Sequence, residues 1–256
     1  MPNTQTSVPA FVASQVLTAQ QQTEINTGIP VFATTVTRDA AFGGAGEKAL
    51  AEGQFAYIEA TNTTQYYDGA AWQSVGVTPA LTLITATSTA NTGGTVTASG
   101  GRVTVAGSSS VSLNGVFTST YHNYLILVDT LEAAAVGPNN ISLRLRAAGT
   151  DTTSSTYYAG QIYGTYAGAA GGSANNGVAQ FPLLTITNAK QQMAKIEVFS
   201  PQAATITTIH SLGVAYDAQS NYAGYQSGAT QYDGFTLFMA TSNFSGNITV
   251  YAYQKS

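Results

Sequence analysis

Two histidines and twelve carboxylates are the main acid–base groups of this 256-residue chain, and no cysteine joins them. Without cysteine there is no disulfide framework, no thiolate metal site and no cysteine nucleophile. His122 and His210 stand alone, and neither belongs to an H-x-x-x-H pair of the kind that grips zinc. His210 follows Ile209 in an alternating run, so a hydrogen-bonded strand residue is expected there. Asp217 and Asp233 are the carboxylates a loop calcium site would use, with backbone carbonyls completing the shell. The EF-hand and Walker patterns are absent, and no metal or cofactor is expected. No G-x-S-x-G elbow occurs. A glycosidase would need two carboxylates across a cleft, and six acids lie beyond residue 110. A surface-polysaccharide hydrolase is therefore the weaker alternative, and the chain is expected not to be an enzyme.

The aromatic residues point elsewhere. Tyrosines number 15 against 8 Lys plus Arg. Tyr157, Tyr158, Tyr163, Tyr166, Tyr222 and Tyr225 fall near two Gly/Asn/Ser-rich stretches, 167–177 and 217–230, expected to be long loops. Tyrosine beside small polar residues supplies rigid contact area at low entropic cost, with adaptable hydrogen bonds around it. These six are the candidate contacts to a host surface or glycan. The competing reading places half or more of them in the core or at a subunit contact. Scattered cations and an acidic pI of 4.9 speak against phosphate-backbone binding, so no nucleic-acid partner is expected. No apolar run approaches the ~20 residues of a membrane helix. The first residues lack the basic and apolar regions of a secretory signal. The expectation is synthesis in a cytoplasm and release by another route, such as lysis.

These side chains need a scaffold. Charged residues make up only 8% of the chain, with 26 glycines, and Thr and Tyr outweigh the helix formers. The expected class is all-β. Residues 1–30 form an arm with one short helix, capped by Thr18 and Gln21 and stopped by Gly28. Its apolar residues Phe11, Val12, Val16, Leu17 and Ile25 are too sparse for a core and suit anchoring to a partner surface. Residues 31–77 read as a small β-meander: a strand at Val31, a helical turn from Thr37 to Phe42, a strand at 54–58, and a hairpin turning at Asp68-Gly69. Asp-Gly there predicts a type I′ turn. Residues 78–110 hold a single charge, Arg102, and read as a Thr/Gly-rich β-linker or a thin hairpin leaning on its neighbours. Residues 111–256 read as an antiparallel, jelly-roll-like sandwich. Tyr124 to Val128 is continuously apolar, so that strand is expected to be covered on both faces. Ile141, Leu143 and Leu145 alternate with Ser142, Arg144 and Arg146, which turns the cations outward.

Several motifs carry a family resemblance. Val31-Phe32-Ala33, Arg38-Asp39, Glu52-Gly53 before Gln54-Phe55-Ala56-Tyr57-Ile58, and Tyr66-Tyr67-Asp68-Gly69-Ala70-Ala71-Trp72 resemble a module of tailed-bacteriophage minor tail and fibre proteins. Val111 to Phe117, Tyr121-His122-Asn123-Tyr124, Leu145 to Asp151, Tyr232 to Leu237 and Gly246 to Tyr253 are similar to a phage virion β-domain. The resemblance implies a virion component with an anchoring N-terminal region and a distal β-domain, and carries no catalytic residues across. It implies a homotrimer, in keeping with a thin 31–110 region that gains a core by threefold association. It implies contacts to other virion proteins through the arm. A tail fibre or receptor-binding protein is the first expectation, and a capsid decoration or head-fibre protein the alternative.

Overall fold

The computed structural model describes residues 14, 16–18, 28–45, 47–76, 80–188, 192–215 and 217–254. The expected arm helix, with Phe11, Val12 and Ile25, lies outside these residues. Val16 and Leu17 are both exposed. The chain forms two compact units, residues 1–78 and 79–256.

In the first unit, short apolar runs pair into one mixed sheet. Strand β1 (Val31–Phe32) runs parallel to β2 (Phe55–Ile58). Strand β2 pairs antiparallel with β3 (Thr63–Tyr67), and β3 with β4 (Trp72–Ser74). The expected helical turn is α1 (Thr35–Asp39), two residues earlier than its sequence signal. Thr34 caps it, and Thr34 and Thr37 satisfy each other's backbone N–H groups. Phe32, Ala41, Ala56 and Ile58 form a small buried core, with Phe42 and Trp72 packed on it. Arg38 is buried beside them, its guanidinium 4.6 Å from the Trp72 ring centroid and bonded to Asp39 and Gln65. The Arg-Asp pair and the distant Trp therefore meet in one contact. The hairpin turn differs from expectation. It centres on Gly69-Ala70, and only Gly69 has a positive φ (95°), the position that a type II′ turn gives to glycine. Asp68 acts as the cap, its Oδ1 accepting from Ala71 N (2.7 Å) and Ala70 N (2.9 Å). These bonds hold its carboxyl below the usual range.

The second unit is the expected sandwich. Eight strands carry it: β8 (Arg102–Ser108), β9 (Ser110–Asn114), β10 (Asn123–Ala133), β11 (Asn139–Ala147), β15 (Phe181–Ile186), β16 (Gln192–Phe199), β19 (Gly234–Met239) and β20 (Phe244–Tyr253). They pair in the orders β8-β20-β10-β16 and β9-β19-β11-β15, with the chain crossing repeatedly between the two sheets. That is jelly-roll topology. Alternation decides which side chains face inward. Tyr124, Ile126 and Val128 of β10, Ile141, Leu143 and Leu145 of β11, and Ile196 and Val198 of β16 fill one continuous core with Phe235 and Leu237 of β19. Each such side chain contributes about 1.5–3 kcal/mol when fully buried. Leu125, on the opposite face of β10, is also buried, as the unbroken apolar run predicts.

The segment read as a linker belongs to this unit. Strand β5 (Leu81–Ile84) pairs with β20, β6 (Ser88–Thr92) with β9, and β7 (Thr95–Ser99) with β8. Its few apolar residues suffice because the sandwich supplies the rest of the core: Val103 and Val105 are buried in it, and Ile84 and Val96 pack against it.

Two hairpins are inserted in the jelly roll. Between β11 and β15, after the two-residue β12 (Thr150–Asp151), come β13 (Tyr157–Thr165) and β14 (Ala170–Val178). Between β16 and β19 come β17 (Thr207–Val214) and β18 (Ala218–Gln226). Strand β17 pairs with β16, and β18 pairs with β13 over nine residue positions. The larger sheet thus extends as β16-β17-β18-β13-β14, past the edge at which the smaller sheet stops. The stretches expected to be loops, 167–177 and 217–230, are mostly these strands β14 and β18. Their Gly, Ala, Asn and Ser side chains carry no strand signal of their own. Pairing with an anchored neighbour satisfies the backbone groups and holds them extended.

Candidate functional site

All six singled-out tyrosines lie on this added extension or in the turn after β13. The alternation of the strands sorts them. Tyr157 and Tyr222 face inward and are buried. Tyr157 Oη accepts from Leu145 N (2.9 Å) and donates to Thr152 O (3.3 Å), tying β13 to β11. Tyr222 meets the Phe181 ring edge-on at 6.5 Å. Burial pushes both phenols above their ordinary pKa. These two are core residues, and their assignment as surface contacts is corrected. The other four are accessible. Tyr158 and Tyr225 stack face to face on the outer side of the extension, with centroids 5.0 Å apart and planes 17° apart. Tyr166 is 63% exposed, and Tyr163 lies at the inner end of β13.

Tyr163 borders a hollow of about 360 Å3 beneath the extension, where the overhanging inner face of β13 and β18 meets the edge strand β15. Gln161, Thr165, Thr185, Asp217 and Ser220 supply its polar wall. The Ser220 hydroxyl is buried and has no protein hydrogen-bond partner. One ring edge, amides and hydroxyls around a half-open hollow match the chemistry of a neutral polyol better than that of a charged reactant. Among the described residues lining it, Asp217 is the one carboxylate.

A second polar set lies on the opposite face of the larger sheet. His210 Nδ1 is 3.2 Å from Glu197 Oε2, and its Nε2 is 3.1 Å from Asn221 Oδ1. Tyr253 donates to Glu197 Oε1 (2.8 Å), and Lys195 lies 3.2 Å from the same oxygen. His210 is thus the hydrogen-bonded strand residue its setting predicts. Tyr253, and after it His210 and Lys195, hold the Glu197 carboxyl below its usual range. Among the described residues no three His, Cys, Asp or Glu side chains converge as a metal would require. Asp233 is engaged structurally, its Oδ2 accepting from Ala148 N (3.0 Å). No helix among them is long and apolar enough to cross a membrane.

Family models, curated proteins and solved structures give no match to this chain.

One polar cluster joins residues far apart in the sequence. On the outer face of the smaller sheet, Arg144 and Arg146 lie flat. Arg146 is bonded to Asp151, Ser112 Oγ (3.0 Å), Thr236 Oγ1 (2.9 Å), Asn114 Oδ1 (3.0 Å) and Gly149 O. Arg144 stacks on Phe238 with its guanidinium carbon 4.2 Å from the ring centroid. The alternation of 141–146 signalled that these cations face outward. Their convergence with residues 112, 236 and 238 depends on strand pairing between residues that lie 34 and 90 positions apart, which local pattern does not carry.

Proposed function

We propose that this chain is a structural component of a tailed-phage virion, a tail fibre or receptor-binding protein whose jelly roll contacts the host surface. The observation that carries the reading is the pair of inserted hairpins. They extend one sheet beyond the jelly roll and bring Tyr158, Tyr163, Tyr166 and Tyr225 to its surface. Adhesion by stacked rings and amide hydrogen bonds needs such a rigid display and nothing more. The motif order along residues 31–253 supports the phage assignment. In this reading the arm, with Val16 and Leu17 exposed, docks on other virion proteins. Threefold association serves the small first unit, whose buried apolar cluster among the described residues is Phe32, Ala41, Ala56 and Ile58; the 81–110 strands have their core inside the sandwich.

The test is adsorption. Fluorescently labelled full-length protein is expected to coat susceptible cells and to compete with phage for them. Uniform failure to bind or compete across susceptible strains would refute the receptor-binding role.

One observation favours the alternative of a capsid decoration or head-fibre protein. The outer face of the larger sheet exposes Leu83, Met193, Leu212 and Val214, apolar residues suited to lying on a flat protein surface. Electron microscopy of virions labelled with antibody to the chain distinguishes the two. Signal on the shell decides for decoration, and signal at the tail decides for the fibre.

A further inference from the structure

On the outer face of the smaller sheet Ser112, Ser142 and Thr236 are buried, and residues 175–180 of β14 and the turn after it stand over its β15 side. Side chains standing around them enclose two hollows, one of about 380 Å3 on the β9 side and one of about 290 Å3 on the β15 side. Phe238 borders both. The first is lined by Ser110, Ser112, Thr236 and the two arginines, the second by Asn140, Ser142, Asn175 and Gln180. Hydroxyls and amides on either side of one aromatic ring form a track across the strands, with volumes near the lower end of the range small-ligand sites occupy (about 300–1,000 Å3).

The two arginines differ in what they have left to give. Arg146 is saturated: its guanidinium meets a carboxylate, two hydroxyls, an amide oxygen and a carbonyl. Arg144 is not. Its Nε donates to Ala179 O (3.2 Å), and Nη2 reaches Gln180 Oε1 only at 3.5 Å. No carboxylate lies within ion-pair distance of it among the described residues. An unpaired guanidinium, held flat by an aromatic ring at the rim of a polar track, is preorganised for a planar carboxylate. Arg146 and Asp151 cancel locally, so the track presents one net positive charge on a chain whose net charge is −4.

We infer that this face binds an acidic oligosaccharide, with Arg144 taking a uronate carboxylate and Phe238 stacking on a sugar ring between two hydroxyl-recognising subsites. The inference rests on the host-surface reading and names the class of ligand for it. It also puts the specific contact on the sheet opposite the one that carries the tyrosines.

The test uses the full chain, tetragalacturonate as probe, its methyl ester as the uncharged control, and inorganic phosphate at matched ionic strength as competitor. Calorimetry is expected to show saturable binding of tetragalacturonate, weaker by about tenfold for the ester and for Arg144→Gln, as loss of a charge-assisted hydrogen bond implies. Phe238→Leu is expected to weaken acid and ester alike. Amide shifts of the wild-type protein are expected in β9, β11 and β19, a readout that needs no variant to fold. Equal affinity for acid and ester, shifts confined to the tyrosine-bearing strands, or displacement by phosphate would each overturn the inference. So would absence of tetragalacturonate binding. If labelled protein still adsorbs to cells in those cases, host adhesion stands and only this site falls; if adsorption also fails, both do.

Discussion

Gly224 on β18 offers a way to loosen the tyrosine-bearing extension while leaving the jelly roll in place. It pairs with Ala159 of β13. A Cβ built on Gly224 would lie 1.9 Å from Tyr158 O and 2.8 Å from Ala159 Cα, both backbone atoms with no rotamer by which to retreat. Ordinary contact begins at 3.4 Å, so Gly224→Ala must drive the two strands roughly 1.5 Å apart at that point, further than steep short-range repulsion lets close packing absorb. Overpacking of this kind costs about 1–3 kcal/mol. A ladder opened that far also loses one or two adjacent hydrogen bonds, at about 0.5–1.5 kcal/mol each. The expected total is about 1.5–6 kcal/mol. The loss should be local, because β13, β14 and β18 lie at the far end of the larger sheet, beyond its jelly-roll strands. Native-state amide exchange on wild type and Gly224→Ala measures this strand by strand. Protection is expected to fall in β13, β14 and β18 and to persist in β10, β16 and β20, with cell adsorption reduced in step. Unchanged protection in β13 and β18 would refute the packing argument. Equal loss throughout the sandwich would refute the modular one.

Other expectations follow from single contacts. Tyr157→Phe removes the acceptor of Leu145 N–H inside the core and is expected to cost about 1–3 kcal/mol in urea unfolding. Arg146→Met leaves the part-buried Asp151 carboxylate without its counter-ion, with the Thr236 hydroxyl still donating to it; a loss of about 3–5 kcal/mol is expected, and a double-mutant cycle with Asp151→Asn should show strong coupling. The folded Glu197 carboxyl titrates below its ordinary value of 4.5, so the folded state binds fewer protons there. Its stabilising contribution is present above that pH and lost as pH falls through the folded value; Glu197→Gln should flatten the acid limb of the stability curve, and an unaltered limb would contradict the assignment. Tyr253, raised to about 12 by burial and by its bond to Glu197, works in the opposite sense. The stability it contributes is expected to fall as pH rises from 10 towards 12, followed by absorbance of the tyrosinate.

Alternation carried most of the fold into view. The outward arginines of β11 and the strand setting of His210 are set by a period of two, which a short window displays. What stayed hidden was long-range pairing. Strands β14 and β18 are mostly Gly, Ala, Asn, Ser, Gln and Tyr, and such residues become strand through their pairing with β13 and, for β18, with β17. The same lack of a partner in view made 78–110 look like a linker or a thin hairpin. At the hairpin the Asp-Gly signal located the turn but shifted its centre by one residue, because Asp68 is better used capping two N–H groups than adopting positive φ. The tyrosines divided for a related reason: two neighbours in sequence, Tyr157 and Tyr158, point to opposite faces, so one is structural and the other available. Arg144 beside Phe238 was the least legible contact, since nothing in either local pattern announces the other.

The extension takes its two hairpins from separate crossings of the jelly roll, and each hairpin finds its neighbour in the other. Neither half makes sense by itself. Remove residues 157–178, and β18 becomes a bare edge with unpaired amides facing water; remove 207–226, and β13 has no sheet to join. Variation at this end of the molecule is therefore constrained to travel as a block spanning both crossings, roughly a quarter of the polypeptide, together with β15 and β16 that the block encloses. Exchange of a narrower segment between related chains should yield misassembled protein more often than altered binding.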